Sequence, residues 1–324
     1  MPAHLGQMLA PIALYPDQLL TQLLMAATFP QQVVDAGKWL QDSNNAALKG
    51  DDLVAALQPL PWDPSVKSLV AFPQIIVMMN DHLEWTEALG TAFANQQVET
   101  MARVQFLRDR AVAAGRLKSS EQLAVNNDDG EIVIEPVDPS MLYVPVYNPA
   151  EAYGDWPDSD APPVYIPPPP NFYSGEIGAG IAFSVGFGII APLWGWGHPD
   201  WRHHEVAVDP QRFNRITSPG SYPNNPVIIQ HNNWHRTSPV ALVPPGQRPP
   251  PPTAPATPPP PGTVRPGVVT QPLPHPGPAP GSPPIAPPPH PGEPPHPPPA
   301  GSVPSPPPHP GEAPPPHPPE VPHP

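Results

Sequence analysis

Between residues 5 and 60, apolar positions recur at helical spacing and are broken by prolines rather than by long polar runs. Leu19, Leu20, Leu23 and Leu24 follow Tyr15-Pro16-Asp17, where proline suits a first helical turn and the acid complements the helix dipole. Phe29-Pro30 stops that helix and starts the next, whose apolar face carries Val33, Val34 and Leu40. Gly50-Asp51-Asp52 reads as a cap before Leu53, Val54 and Leu57. Trp62-Asp63-Pro64 repeats the logic, with Asp63 as N-cap and Pro64 at the first helical position. The Phe-Pro-Gln steps at 29–31 and 72–74 are related by an offset of 43 residues, which also relates Val34 to Val77 and Leu40 to Leu83. Two helical hairpins packed face to face would explain that echo.

From about Leu83 to Ala114 the pattern predicts one longer helix, with Leu89, Phe93, Val104, Leu107 and Ala111 on its buried side and Gly115 as its cap. Period-two signals follow. Leu123 to Asn126 and Glu131 to Glu135 flank Asn127-Asp128-Asp129-Gly130, a turn rich in residues that accept positive φ, so a hairpin is expected. Tyr143-Val144-Pro145-Val146-Tyr147 reads as a third, edge strand, where proline is tolerated. Asp155 to Pro170 is polar and proline-rich, the pattern of a linker.

Ile177 to Gly197 is an apolar, glycine-rich run of 21 residues without a charge. It is long enough to cross a hydrocarbon core of about 30 Å as a helix. Phe172 and Tyr173 stand at one end and Trp194 and Trp196 at the other, as an aromatic belt would require. Small residues recur every fourth position (Gly178, Ala182, Gly186; Gly180, Ser184, Gly188), which suits close helix contact in lipid. The same stretch also alternates strictly. Ile177, Ala179, Ile181, Phe183, Val185, Phe187 and Ile189 fall on one side and small residues on the other, a strand signal. A lone strand in lipid leaves its backbone groups unpaired, so a membrane helix is the leading expectation. A self-associating or membrane-inserted β form and a soluble apolar loop covered by the helical domain stand as alternatives. If the segment spans, Arg202, Arg212 and Arg215 place its C-terminal side in the cytoplasm.

Composition changes the picture chiefly at the C-terminal end. Of the 66 prolines, 40 fall in the 81 residues from Pro244 to Pro324, a stretch without aromatic residues. Such a chain buries too little apolar surface to offset its ordering entropy, so disorder is expected there. Extended as polyproline II it could reach on the order of 200 Å, as a spacer or a ligand for aromatic-lined grooves. The formal net charge of −14, with 14 Lys+Arg, gives no basic footprint for nucleic acid, which is excluded as a partner. The absence of cysteine excludes disulfides, thiolate metal sites and a cysteine nucleophile.

Three groups of residues are candidates for chemistry. His198, His203 and His204, near Asp200 and Glu205, are candidate metal ligands, although nothing in their spacing fixes a tetrahedral set. His275, His290, His296, His309, His317 and His323 punctuate the proline-rich tail and read as a solvated repeat or a multivalent metal trap. Asp17 and Asp63 could form an acid–base pair only if buried together in a cleft, and helix capping explains both without chemistry. Trp62, Trp85, Tyr143 and Tyr147 could form an aromatic ligand platform, or serve as core and edge packing. No nucleophile elbow, phosphate loop, zinc-protease motif or dinucleotide fingerprint is present.

Several long runs occur in order: residues 7–20 (QMLAPIALYPDQLL), 24–30 (LMAATFP), 61–67 (PWDPSVK), 70–73 (VAFP) and 143–149 (YVPVYNP). With the Gly/Trp-rich segment they resemble the bacterial family catalogued as domain of unknown function 3300, over roughly residues 7–236. The resemblance carries over no catalytic or binding residue, since the family has no established activity. It implies an exported or envelope-anchored protein with a signal sequence ahead of the Leu-Ala-Pro-Ile-Ala-Leu-Tyr-Pro motif. Here the motif begins only a few residues from Met1, and the expectation is that an upstream start is missing from the gene model.

The expected organisation is therefore a mainly α domain over 1–118, with a β-hairpin and edge strand packed on it over 119–153. A proline-rich linker follows over 154–173, a glycine-rich membrane-type segment over 174–197 and a polar irregular segment over 198–243. A disordered proline-rich tail over 244–324 ends the chain. The expected function is that of a non-catalytic cell-envelope scaffold or interaction protein without a cofactor. It would bind lipid through 177–197 and a protein or cell-wall partner through the helical domain, with self-association through the glycines. A metal-handling or hydrolytic envelope enzyme and a soluble cytoplasmic interaction protein are the alternatives.

Overall fold

A computed structural model describes residues 2–169, 173, 180–218 and 227–250. Nine helices open the described chain: α1 (Pro2–Leu9), α2 (Asp17–Ala27), α3 (Pro30–Leu40), α4 (Ser43–Ala46), α5 (Gly50–Leu57), α6 (Pro64–Val70), α7 (Pro73–Asp81), α8 (Leu83–Asn95) and α9 (Gln97–Ala113). Strands β1 (Leu123–Asp128), β2 (Glu131–Pro136), β3 (Met141–Leu142) and β4 (Pro145–Val146) follow, then α10 (Pro149–Ala152). The remainder carries β5 (Ala182–Phe183), β6 (Phe187–Gly188), β7 (Gly197–Asp200), β8 (Glu205–Val208), α11 (Pro210–Ile216), β9 (Val227–Gln230) and β10 (Asn233–Arg236). The N-terminal region is thus mainly helical, with small antiparallel sheets appended.

The proline punctuation works as helix starts. Phe29 and Phe72 hold nearly the same backbone conformation (φ −122°, ψ 55° and φ −123°, ψ 72°) and hand the chain to Pro30 and Pro73 at the first turns of α3 and α7. The 43-residue echo has a spatial counterpart, because α2 packs on α6 and α3 packs on α7. Asp63 caps α6, accepting from the Ser65 backbone N–H at 2.7 Å. Closest approach is at Gly90 on α8, where a Cβ would lie 2.0 Å from the Ala27 carbonyl oxygen.

The single helix expected over 83–114 is two helices. Gln96 (φ −141°, ψ 53°) breaks it, and α8 and α9 fold onto each other. The reason is burial: Leu89 and Phe93 on one side of the break, and Met101, Val104 and Leu107 on the other, all reach the same core. Gly115 ends α9 at φ +69°, with the Arg116 N–H returning to the Ala111 carbonyl at 2.9 Å. The hairpin forms in register Leu123↔Pro136 to Asp128↔Glu131, and its two-residue turn places both Asp129 (φ 53°) and Gly130 (φ 99°) at positive φ.

The membrane-helix reading of the glycine-rich segment is corrected over its described part, residues 180–197. Here the chain runs back antiparallel along 141–146: β6 pairs with β3 and β5 with β4. Ser184 ties the two short ladders together, its backbone N–H donating to Val144 O (3.0 Å) and its Oγ accepting from Val144 N–H (3.1 Å). Gly186 permits the crossing, since a Cβ there would meet Met141 Cε and Tyr143 Cε1, both at 2.8 Å. The aromatics face protein: Phe187 and Trp194 pack on Phe72, and Trp196 is fully buried against Phe213. Ile181, Phe183 and Ile189 pack against the core from partly buried positions, while Val185 is exposed. Among the described residues no helix is long and apolar enough to cross a membrane.

The segment expected to be irregular over 198–243 is also ordered in its described part. It forms a four-stranded antiparallel sheet, β7-β8-β10-β9, whose Trp234 is fully buried and stacks on Phe93 of α8 at 5.8 Å. One hydrophobic cluster runs from Leu9 to Trp234, so these strands belong to the same core as the helices. The described linker residues also lie on the domain. Trp156 stacks obliquely on Tyr153, and Val164 N–H donates to Gln7 O at 3.2 Å. The tail beyond residue 250, its six histidines and Ile177 fall outside the described residues.

Gly90→Ala is expected to destabilise the protein by about 3 kcal/mol or more, because the clash is with backbone and not with a movable side chain. Thermal denaturation followed by circular dichroism checks this; an unchanged midpoint would contradict the α2–α8 contact.

Candidate functional site

Asp17 and Arg108 organise the described domain from its centre. Arg108 follows Val104 and Leu107 on the buried face of α9 and is fully enclosed. Its Nη1 donates to Asp17 Oδ1 at 2.6 Å and to Ile132 O at 2.7 Å. Nε donates to Ala13 O at 2.9 Å, and Nη2 to Tyr15 O at 3.0 Å. Asp17 is satisfied as completely: Oδ1 also accepts from Ile134 N–H (3.3 Å) and Oδ2 from Trp201 Nε1–H (2.8 Å). The Trp201 ring covers the guanidinium, whose carbon lies 4.7 Å from the ring centre.

Above this cluster lies a cavity of about 720 Å³, walled by the β1–β2 hairpin, the β7–β8 turn and residues 194–195. Asp17 sits at its wall, and Glu131, Glu135, His198, Asp200, Arg202 and Arg212 supply mixed charge around it. Arg202 contacts Asp129 and lies 3.8 Å from Asp128, so an ion pair joins the tips of the two hairpins. Arg212 donates to Gly195 O (2.9 Å) and Ala191 O (3.1 Å), fixing the bend after the glycine-rich strands.

On the other side of the loop before α2, two tyrosines clamp the chain. Tyr147 and Tyr153 both donate to Ala10 O (2.9 and 2.6 Å), and Leu14 N–H donates to Tyr147 Oη at 3.3 Å. Burial drives the hydroxyl pKa of Tyr15, Tyr147 and Tyr153 well above the ordinary phenol value, so all three stay neutral hydrogen-bonding groups.

The candidate residues scatter. Trp62 is buried edge-on against Trp39, Trp85 donates to Met8 O at 2.9 Å, Tyr143 touches the glycine strand and Tyr147 is in the clamp. They are packing residues in separate places and do not form one exposed platform. Asp17 and Asp63 are likewise committed to different partners, Arg108 and the α6 N-terminus. His198 lines the large cavity, His203 Nδ1 lies 2.7 Å from Asp200 Oδ2 and His204 is a turn residue at φ +54°. The hydrogen bond to Asp200 and the carboxylate charge raise the His203 pKa above its usual value. Among the described residues no group of three or more His, Asp or Glu side chains is placed to hold a metal ion.

A further constellation was missed by sequence reasoning. Lys67 is 1% exposed, and its Nζ donates to Ser218 Oγ (2.6 Å), Ile216 O (3.0 Å) and Gln58 O (3.3 Å). A lysine beside a serine can activate a nucleophile, but only if the serine hands its proton to the amine. Here the amine is the donor and the Ser218 hydroxyl is directed at Gln58 O. The arrangement joins the ends of α5 and α11.

The fold and site together define a helical domain with appended small sheets, whose buried charges are spent on joining elements. The chain belongs to the family described as "Protein of unknown function (DUF3300)", which matches residues 1–236. It is similar to the "Uncharacterized protein YacH" of Escherichia coli (strain K12), with 36% identity over 276 residues, covering 66% of this chain and 44% of that relative. The chain thus spans less than half the length of that relative. No solved structure matches it.

Arg108→Met leaves the Asp17 carboxylate buried without its cation and is expected to lose about 3–5 kcal/mol. Arg108→Lys is expected to lose most of that, because one ammonium cannot reach the acceptors that the planar fork serves. Urea denaturation reads both, and Asp17→Asn combined with Arg108→Met is expected to recover part of the loss.

Burial lowers the Lys67 pKa to about 8, with Asp63 opposing the shift. The folded chain then releases this proton near pH 8, while the unfolded chain keeps it until about 10.5. Because the unfolded state binds more protons in that window, the contribution of Lys67 to stability rises with pH from about 8 to about 10.5 and is flat below it. Relative to Lys67→Met, the wild type is expected to gain about 2 kcal/mol between about pH 7.5 and about pH 9.5 in urea denaturation.

Proposed function

We propose that this protein is a non-catalytic interaction protein of the cell envelope. One observation carries the reading. The charged side chains buried among the described residues are Asp17, Asp63, Lys67, Glu87 and Arg108, and each is engaged in capping a helix or joining two elements. Catalytic acids and bases keep a titrating atom open toward a cleft. Here the buried charges, Asp17 at the cavity wall included, have their polar atoms taken by protein partners, which suits a domain whose task is to present a fixed surface.

The surface it presents is the large cavity between the two hairpin tips, ringed by both signs of charge. Mixed charge favours a polar protein or wall polymer over nucleic acid, in line with the net charge of −14. The envelope location rests on the family resemblance, which implies export. In this reading the described part of the glycine-rich segment braces the domain, and a partner holds the protein in the envelope.

Two measurements test the reading. Fractionation of cells carrying the natural locus is expected to recover the protein with the envelope, and recovery solely in the cytosol would overturn that location. Zinc titration by calorimetry is expected to show no stoichiometric site. Tight one-to-one binding abolished in His198→Ala/His203→Ala/His204→Ala would instead establish a metal-handling protein.

A further inference from the structure

A smaller cavity lies on the far side of the loop before α2. Its floor is apolar and aromatic, built from Pro11 and Tyr15 of that loop, Ile75 and Met78 of α7, and Tyr147. Its opposite wall is the chain's own Ile166-Pro167-Pro168-Pro169. Only about 30 Å³ remains between the two, room for one or two water molecules, so the proline run fills the groove.

The occupant has one conformation open to it. Each proline fixes its own φ near −65°, and each residue before a proline is driven to the β/polyproline II region, so Ile166 through Pro168 are locked extended by sequence alone. Such a segment offers carbonyl acceptors and, at its prolines, no backbone donor. The groove supplies the complementary group. Gln74 of α7 lines it with 3% exposure, and neither end of its amide has a hydrogen-bond partner among the described residues. Leaving a buried amide unpaired is destabilising, and a carbonyl brought within its reach would remove that cost. Gln22, the other buried glutamine with a fully unpaired amide, lies instead under the β7 backbone at Gly197.

We propose that this groove is a polyproline II recognition site, that Ile166–Pro169 is its ligand in cis, and that a proline-rich segment of another polypeptide is its ligand in trans. Aromatic rings receive the proline rings, the ligand in trans presents a carbonyl to the Gln74 amide that Ile166–Pro169 leaves unpaired, and the preformed ligand gives up little conformational entropy on docking. The linker then acts as a displaceable plug. This deepens the interaction-protein reading and rests on it.

The test uses the full chain and a fluorescently labelled oligoproline of about ten residues, followed by anisotropy. Replacing the plug (I166G, P167S, P168G, P169S) is expected to tighten oligoproline binding at least tenfold over wild type. Adding Gln74→Met to that variant is expected to weaken binding about tenfold while leaving the thermal midpoint unchanged or raised. A glycine–serine peptide of equal length is expected not to bind either form. If the plug-replaced protein, shown to be folded by circular dichroism, binds oligoproline no better than wild type, the groove assignment is overturned. That result leaves the scaffold reading to the fractionation and zinc measurements, which do not involve this groove.

Discussion

Arg108 is the side chain on which the described domain turns. A guanidinium enclosed by protein loses its hydration, and only a full set of acceptors makes that tolerable. Here the acceptors come from different parts of the chain: Ala13 and Tyr15 from the loop before α2, Asp17 from α2 itself and Ile132 from the hairpin. Trp201, from the β7–β8 turn, closes the set through Asp17 and through its ring. Segments nearly two hundred residues apart in sequence are therefore fixed by one ion pair. The large cavity inherits its shape from this, because its walls are the hairpin and the turn that the pair holds.

Lys67 and Glu87 repeat the device at smaller scale. Lys67 draws together the ends of α5 and α11, and Glu87 receives the Val243 N–H (2.7 Å) and Arg248 Nη2 (2.8 Å) from the far end of the described chain. Hydrophobic burial alone is non-directional and tolerates sliding. Charges that must each find a fixed set of partners leave a single register, which suits a sequence whose helices are mostly short.

Much of the local structure was legible in the sequence because its causes are local. The proline starts of α3, α6 and α7, the Asp63 cap, the Gly115 stop and the Asp129-Gly130 turn each depend on a few neighbouring residues. What sequence reasoning lost was whatever depends on distant partners. The glycine-rich run carries a lipid-like composition, yet its aromatics find Phe72 and Phe213, and its backbone pairs with 141–146. Composition reports that a segment avoids water, not which apolar surface covers it. The central pair was in plain view as residue types: Asp17 lies amid an almost wholly apolar run, and Arg108 follows Leu107 on the buried face of α9. A charge at a core position announces a buried partner, and pairing the two would have identified the site.

The end of the described chain has a mechanical meaning. Val243 is 1% exposed in a small cluster with Val34 and Leu83, and Arg248 is latched to Glu87 on α8. Tension applied to the polypeptide beyond residue 248 is thus delivered first to this latch and to the middle of a helix, not to β10 inside the terminal sheet. A grip of that kind must be sheared off as a unit before any strand can be peeled, so the domain resists being unravelled from its C-terminal side.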